Sequence, residues 1–178
     1  MDSLTTVALA ARDGDRAALA RFVELAQADV WRYCAYLTDT QTADDAAQEA
    51  LIRAIGSLHG FRGEGDAKVW LLTIARRTCA DLIRSQVRRR TLLDRLRGEH
   101  DSTPVAPSEK LELSELLASL DHDRRDAFVL TQVLGLSYEE TAHVMNCAVG
   151  TIRSRVARAR MQLVDAVTAA DDQRALGS

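Results

Sequence analysis

The stretch Leu136-Ser-Tyr-Glu-Glu-Thr-Ala-His-Val-Met145, Asn146-Cys-Ala148, Val149-Gly-Thr-Ile-Arg-Ser-Arg-Val-Ala-Arg-Ala-Arg-Met-Gln-Leu163 decides the fold. Ser137 followed three residues later by Glu140 is a capping-box pattern and opens a short helix. A tight turn at Asn146–Ala148 separates it from a second helix with apolar residues at helical spacing. This is the layout of a helix-turn-helix, in which the second helix enters the major groove of DNA.

A helical wheel sharpens the reading. With Arg153 at zero and ~100° per residue, Ile152, Val156, Ala159 and Leu163 fall between roughly 240° and 300°, a compact buried stripe. Ser154, Arg158, Thr151 and Arg155 fall between roughly 100° and 200°, largely opposite it, and Arg153 and Arg160 lie on a flank near 0°. From Cys147 to Val164 there are four arginines and no acid. An ordinary surface helix mixes Glu with its Arg for i,i+4 pairs. This one offers hydroxyls and guanidinium forks, which suit base edges and phosphates.

The charge elsewhere is equally segregated, although the 178-residue chain has a formal net charge of only −3. Lys68 to Arg90 holds seven bases against one acid, Asp81. Asp39, Asp44, Asp45 and Glu49 cluster without a base among them. Blocks of this kind put opposite fields on different surfaces, or are simply solvated helix faces. Both prolines, Pro104 and Pro107, fall in Gly98–Ser108, which has no apolar periodicity and reads as a flexible linker. Apolar spacing predicts helices over about 3–13, 15–38, 43–55, 67–90, 109–119, 121–134, 137–145 and 149–166, with a second capping box at Thr42 and Asp45. No period-2 alternation bounded by hairpin dipeptides occurs. The expectation is an all-α protein of two small helical domains, residues 1–95 and 110–170, joined by a linker at 96–109 and followed by a frayed tail at 171–178.

Several classes drop out. No apolar run reaches the ~20 residues of a membrane helix, and Met1-Asp2-Ser3-Leu4 lacks the basic start of a secretory signal. Three cysteines far apart in sequence, with no CxxC, fit neither a common zinc spacing nor a disulfide framework and point to a reducing cytoplasm. His59, His100, His122 and His143 stand alone, without HExxH, GxSxG or Walker patterns, so no catalytic residue, metal or cofactor is assigned. Asp44 and Asp45 are adjacent and diverge by about 100° on a helix, which leaves no convergent carboxylate pair. His143, inside the first helix of the pair, reads as a packing or surface residue.

Cys147-Ala-Val-Gly-Thr-Ile-Arg-Ser-Arg-Val-Ala-Arg-Ala-Arg160 resembles the region 4 signature of extracytoplasmic-function (ECF) bacterial sigma factors, sigma-C-like in type. Ala148 stands where that family commonly has proline. Thr42-Ala-Asp-Asp-Ala-Ala-Gln-Glu-Ala-Leu-Ile-Arg-Ala-Ile55 resembles region 2.2, with Ala46 where a bulky apolar residue is usual. Phe61-Arg-Gly-Glu-Gly-Asp-Ala-Lys-Val-Trp-Leu-Leu-Thr-Ile-Ala-Arg-Arg-Thr-Cys-Ala-Asp-Leu-Ile83 resembles regions 2.3 and 2.4, with Arg77 where asparagine is frequent. The resemblance implies a stress-response subunit that directs promoter-specific initiation. Its partners would be core RNA polymerase, through the β′ clamp helices and the β subunit, and promoter DNA, single-stranded at −10 and double-stranded at −35, with an anti-sigma factor as a further candidate. It assigns Asp44, Asp45, Gln48, Glu49, Ile52 and Arg53 to core polymerase. It assigns Arg62, Gly63, Lys68, Arg76, Arg77 and Arg84 to the −10 element, and Thr151, Arg153, Ser154, Arg155, Arg158 and Arg160 to −35.

On the wheel of the 2.2 segment, Leu51, Ala54, Ile55 and Leu58 face one way, with Ile52, Asp45, Glu49 and Arg53 opposite. Trp70, Leu71, Ile74, Thr78 and Leu82 repeat at helical spacing, so Trp70 reads as a core anchor rather than a base-stacking group. The rival from another class is a helix-turn-helix regulator that is not a polymerase subunit. A two-component regulator would need an α/β receiver, and residues 1–95 offer no such strands.

Overall fold

A computed structural model describes residues 3–38, 40–97 and 116–176. The expected linker, Gly98–Ser108, and most of the expected helix at 109–119 lie outside the described residues. Contacts divide the chain into two units, Met1–Glu109 and Lys110–Ser178. All regular structure among the described residues is helical.

The first unit holds α1 (Ser3–Arg12), α2 (Arg16–Leu37), α3 (Thr40–Ser57), a 3-10 turn (Leu58–Gly60) and α4 (Ala67–Arg97). Gly14, at φ 101°, reverses the chain between α1 and α2, a backbone state that an L side chain resists. Asp15 then caps α2 by accepting from the N–H groups of Ala17 and Ala18 at 2.8 and 3.1 Å. Phe22, Ala26, Val30, Tyr33, Cys34 and Leu37 form the buried stripe of α2. Against it lies a face of α3 made of alanines: Ala43, Ala46, Ala47, Ala50 and Ala54 are at most 5% exposed. A methyl-only ridge lets the helix backbones approach closely. Ala46, which departs from the family's usual bulky residue, is fully buried in this ridge. The α4 contribution is Val69, Leu71, Leu72, Ala75, Thr78 and Cys79.

Two long-range polar ties close the unit. Thr5 of α1, itself buried, accepts from the Ala67 N–H at 2.9 Å and so satisfies an orphan donor at the start of α4. The Gln86 amide of α4 donates to the Thr42 hydroxyl at 2.9 Å. This corrects the expected capping box at Thr42: α3 begins at Thr40, so Thr42 lies inside the helix rather than at its cap, and its hydroxyl also accepts from α4. The Trp70 ring is half-buried and packs on Phe61 and Phe22, with centroids 5.0 and 6.5 Å apart. Of the expected α4 stripe, Leu71 and Thr78 are buried, whereas Ile74 and Leu82 are half-exposed; Leu72, Ala75 and Cys79 take the inner positions.

The second unit begins with a helical turn at residues 116–118 and continues with α5 (His122–Phe128), α6 (Tyr138–Met145) and α7 (Val149–Leu176). The expected single helix 121–134 is interrupted. After Phe128 the backbone widens into a π-helical turn at Val129–Val133, and the Leu134 N–H reaches the Val129 carbonyl at 2.9 Å. The Thr131 hydroxyl donates back to the Ala127 carbonyl at 2.8 Å, a competition that loosens the α ladder. The extra residue in the turn lets Leu130, Leu134 and Leu136 all bury. Arg125 ties down the preceding turn by donating to the carbonyls of Leu117, Ala118 and Leu120, and burial lowers its pKa.

The Ser137–Glu140 capping box is fully formed, with Glu140 N–H to Ser137 Oγ at 3.1 Å and Ser137 N–H to Glu140 Oε2 at 2.7 Å. Asn146 ends α6 in the left-handed region, at φ 50°. Ile152, Val156 and Ala159 are fully buried, as the wheel requires, while Leu163 is half-buried. Both long helices overrun their expected ends: α4 continues to Arg97, and α7 runs to Leu176 through most of the segment read as a frayed tail.

Ala50→Leu should destabilise the first unit by about 1–3 kcal/mol, because the ridge has no room for a longer side chain. Ser137→Ala should cost the second unit about 1 kcal/mol through the lost cap. Urea denaturation of each variant, followed by circular dichroism, checks both.

Candidate functional site

Three surfaces carry the exposed functional groups. The first is the outer face of α3. Asp44, Asp45, Gln48, Ile52 and Arg53 are exposed and Glu49 is half-exposed. Ile52, 63% exposed among these polar groups, has no place in the core. The expected apolar side of this helix is split: Ala54 and Leu58 are buried, but Ile55 is 38% exposed and Leu51 is half-buried. The alanine ridge is the true inner face, which rotates Leu51 to the edge. There Leu51 helps to line a groove of about 480 Å³ between α2 and α3, with Gln27, Ala28, Trp31, Arg32, Asp44, Ala47 and Gln48. Trp31, 42% exposed, donates its indole N–H to Asp44 Oδ1 at 2.6 Å. Sequence reasoning missed Trp31. Its signal was an aromatic displaced from the buried stripe of its own helix.

The second surface is the loop before α4 and the outer face of α4. Arg62 is exposed. Gly63 sits at φ 72°, and a Cβ there would meet Leu9 Cδ2 at 2.9 Å, so glycine is demanded by the packing of α1 as well as by the backbone. Lys68 is not free: its Nζ pairs with Asp29 at 2.8 Å. Arg76 is half-buried, and Arg77, Arg84, Arg88 and Arg89 are exposed. Arg77, Arg84 and Arg88 share one stripe of the helix with Asp81. Asp81 accepts from Arg84 at 2.6 Å and from Arg53 of α3 at 3.0 Å, and these bonds, that from Arg84 the stronger, hold its carboxyl below the usual range. Arg53 also pairs with Glu49 at 2.7 Å. The one acid on the basic stripe is thereby neutralised, and the charge chain Glu49–Arg53–Asp81–Arg84 links the first two surfaces.

The third surface is α7. Arg153, Ser154, Arg158 and Arg160 are exposed; Thr151 and Arg155 are half-buried. The six residues expected at −35 therefore divide by how they are engaged. Arg155, whose side chain is 24% exposed, pairs with Asp123 of α5 and donates to Cys147 Sγ at 3.7 Å. This places its guanidinium inside the unit, as a tie between α5 and the turn. Arg160 donates to Gln132 Oε1 at 2.6 Å, and Ser154 Oγ to the Thr151 carbonyl at 2.9 Å. Arg153 and Arg158 make no hydrogen bond or ion pair among the described residues. His143 is exposed on α6.

Among the described residues no cluster of three or more His, Cys, Asp or Glu could hold a metal ion, and no helix is long and apolar enough to cross a membrane. Comparison with known proteins accounts for both units. Residues 22–90 match the model of sigma-70 region 2, and residues 110–163 match that of sigma-70 region 4. The chain is 45% identical over 168 residues to the ECF RNA polymerase sigma factor SigC of Mycobacterium tuberculosis, covering 92% of this chain and 90% of the relative. It is 32% identical over 176 residues to the ECF RNA polymerase sigma-E factor of Haemophilus influenzae, covering 89% and 93%. Among solved structures, RpoE in complex with the anti-sigma factor NepR from Bartonella quintana matches with a TM-score of 0.70 at 29% identity, covering 84% of this chain and 96% of RpoE. CnrH in complex with the cytosolic domain of CnrY shares the fold, with a TM-score of 0.72 at 24% identity over 94% of this chain and 99% of CnrH. With both sigma regions matched in order and relatives aligned over nearly the full length, the chain belongs to the ECF group of the sigma-70 family, the RNA polymerase sigma factors that direct transcription initiation.

Proposed function

We propose that this sigma factor divides its work among the three surfaces. The α3 face, with Asp44, Asp45, Gln48, Glu49, Ile52 and Arg53, docks on core RNA polymerase, and Trp31 and the groove beside it extend that contact. The loop at Arg62 and Gly63 and the stripe of Arg77, Arg84 and Arg88 take the −10 region, where glycine permits close approach of backbone to an extruded base. Helix α7 reads the −35 element. The domain limits 1–95 and 110–170 are adopted for these two tasks. The protein works in the cytoplasm as a non-enzymatic subunit. The RpoE–NepR complex supports an anti-sigma factor as a further partner.

The observation that carries the DNA reading is the contrast across α7. One side is fully buried at Ile152, Val156 and Ala159, and the other carries no acid from Val149 to Val164 and presents Arg153 and Arg158, which make no bond among the described residues. Arg158, Ser154 and Thr151 face away from the buried stripe and read base edges, whereas Arg153 and Arg160 on the flank hold phosphates. Base contacts specify and phosphate contacts position. Arg155 and Lys68 serve the fold first, since each is already paired with a carboxylate of its own unit.

Run-off transcription with core polymerase on a randomised promoter library tests the whole reading. Selected −10 and −35 elements are expected; sequence-specific DNA binding without run-off product would favour the rival regulator. Reversing the charge of Asp45 and Glu49 together should abolish association with core polymerase in a pull-down, with circular dichroism unchanged. In the holoenzyme, Arg158→Ala should cost about 1–3 kcal/mol on the selected promoter and relax selectivity at one base pair. Arg160→Ala should weaken all sequences alike and reduce the salt slope by about one. An altered base preference from Arg160→Ala alone would mean that α7 is rotated about its axis.

A further inference from the structure

Cys34 on α2 and Cys79 on α4 are 45 residues apart in sequence, yet their sulfurs lie 3.4 Å from each other. Both are buried, at 0% and 1% exposure. The sequence reading treated the three cysteines as unrelated, because only the packing of α2 against α4 brings these two together. Their neighbours in sequence, Tyr33 and Thr78, are fully buried as well. A disulfide needs its sulfurs at about 2.05 Å, so closing this pair requires an approach of roughly 1.4 Å. Side-chain rotation supplies much of such a movement. The third cysteine, Cys147, is in the other unit and half-exposed.

We propose that Cys34 and Cys79 form an oxidisable dithiol, which a hydroperoxide converts into an intramolecular disulfide joining α2 to α4. In the first step one thiolate sulfur attacks the distal peroxide oxygen. The S–O bond forms, the O–O bond breaks, and the other oxygen leaves as an alcohol or water after taking up a proton. The product is a sulfenic acid. In the second step the neighbouring thiolate attacks that sulfur, the S–S bond forms, and the oxygen departs as water. The two sulfurs together lose two electrons and the peroxide gains two. The water-excluded site slows ionisation: the hydrogen bond with Cys79, and then burial, raise the Cys34 pKa. With both thiols at most 1% exposed, peroxide reaches them only through opening of the bundle, so the pair answers to sustained peroxide rather than to a brief pulse. The sulfenic acid is held against its resolving thiol, so it closes before further oxidation.

The closed loop contains α3. The disulfide constrains the unfolded chain over that span, and it lies on the opposite side of the alanine ridge from the exposed polar groups of α3. The inference rests on the packing of the bundle and stands apart from the assignment of any surface to DNA or polymerase.

The test uses the full chain carrying Cys147→Ala, which removes the half-exposed thiol and leaves the pair. After prolonged exposure to hydrogen peroxide, the protein is denatured in the presence of an alkylating reagent. The expected result is a monomer lighter by two hydrogen atoms that takes up no alkyl group, with a Cys34–Cys79 cross-linked peptide on mapping and full recovery of alkylation after dithiothreitol. The thermal midpoint of the oxidised protein should rise by about 5 °C or more. Two alkylated thiols after peroxide, disulfide-linked dimers, or irreversible sulfinic acid at either residue would each overturn the proposal. Cys34→Ser in the same background should prevent the cross-link; if it misfolds, the mapped peptide of the parent decides alone.

Discussion

The structure of the first unit depends on how closely α3 can approach its neighbours. That approach is set by a ridge of five alanines, each offering a single methyl group to the core. A larger residue would push α2 and α4 outward, and several dependent contacts would fail with it. The Gln86–Thr42 bond, the Arg53–Asp81 bridge and the juxtaposition of Cys34 with Cys79 all span helices that the ridge holds together. Alanine also has the highest helix propensity. The helix that presents the acidic face is therefore supported by its backbone preference as well as by burial, and its outward side chains are relieved of any packing duty.

The second unit solves a different problem. A recognition helix must be held firmly on one side and left open on the other. Burial of Ile152, Val156 and Ala159 does the first. The turn before it is fixed by a left-handed Asn146 and by Arg155, which reaches both Asp123 and Cys147. The π-turn at Val129–Val133 contributes from the far side, since its extra residue re-aims the chain so that three leucines converge on the core. An uninterrupted α-helix would advance Leu134, at the end of the turn, by about 100° relative to its present place.

What was legible in the sequence follows from how local each cause is. The Ser137–Glu140 box, the turn at Asn146–Ala148 and the buried stripe of α7 involve residues within a few positions of one another, and all appear as expected. The all-helical class and the two sigma regions were equally readable. The errors share an origin in distant partners. Thr42 looked like a cap, but α3 starts two residues earlier, at Thr40, and Gln86 of α4 could not be foreseen as a donor to its hydroxyl. Lys68 and Arg155 looked like free cations because Asp29 and Asp123 belong to other helices. The wheel of α3 took Leu51 and Ile55 for core, since hydrophobicity scales rank leucine above alanine, whereas here close approach favours the smaller residue. The π-turn left only a weak trace, in the β-branched run around Thr131.

The bond between Thr5 and the Ala67 N–H has a consequence for synthesis of the chain. It joins residues 62 positions apart, so a helix made earlier completes the start of α4. Until α4 has left the ribosome, the Thr5–Ala67 bond cannot form and α3 has only one of its two neighbours. Closure of the bundle thus waits on the packing of α4 against α1 and α2, the contacts of highest sequence separation in the unit, and their loop-closure cost falls late. Folding of the first unit is held back until roughly a hundred residues have emerged, at a rate of about 5–20 residues per second. The helix-turn-helix is built from neighbours in sequence and follows without such a wait.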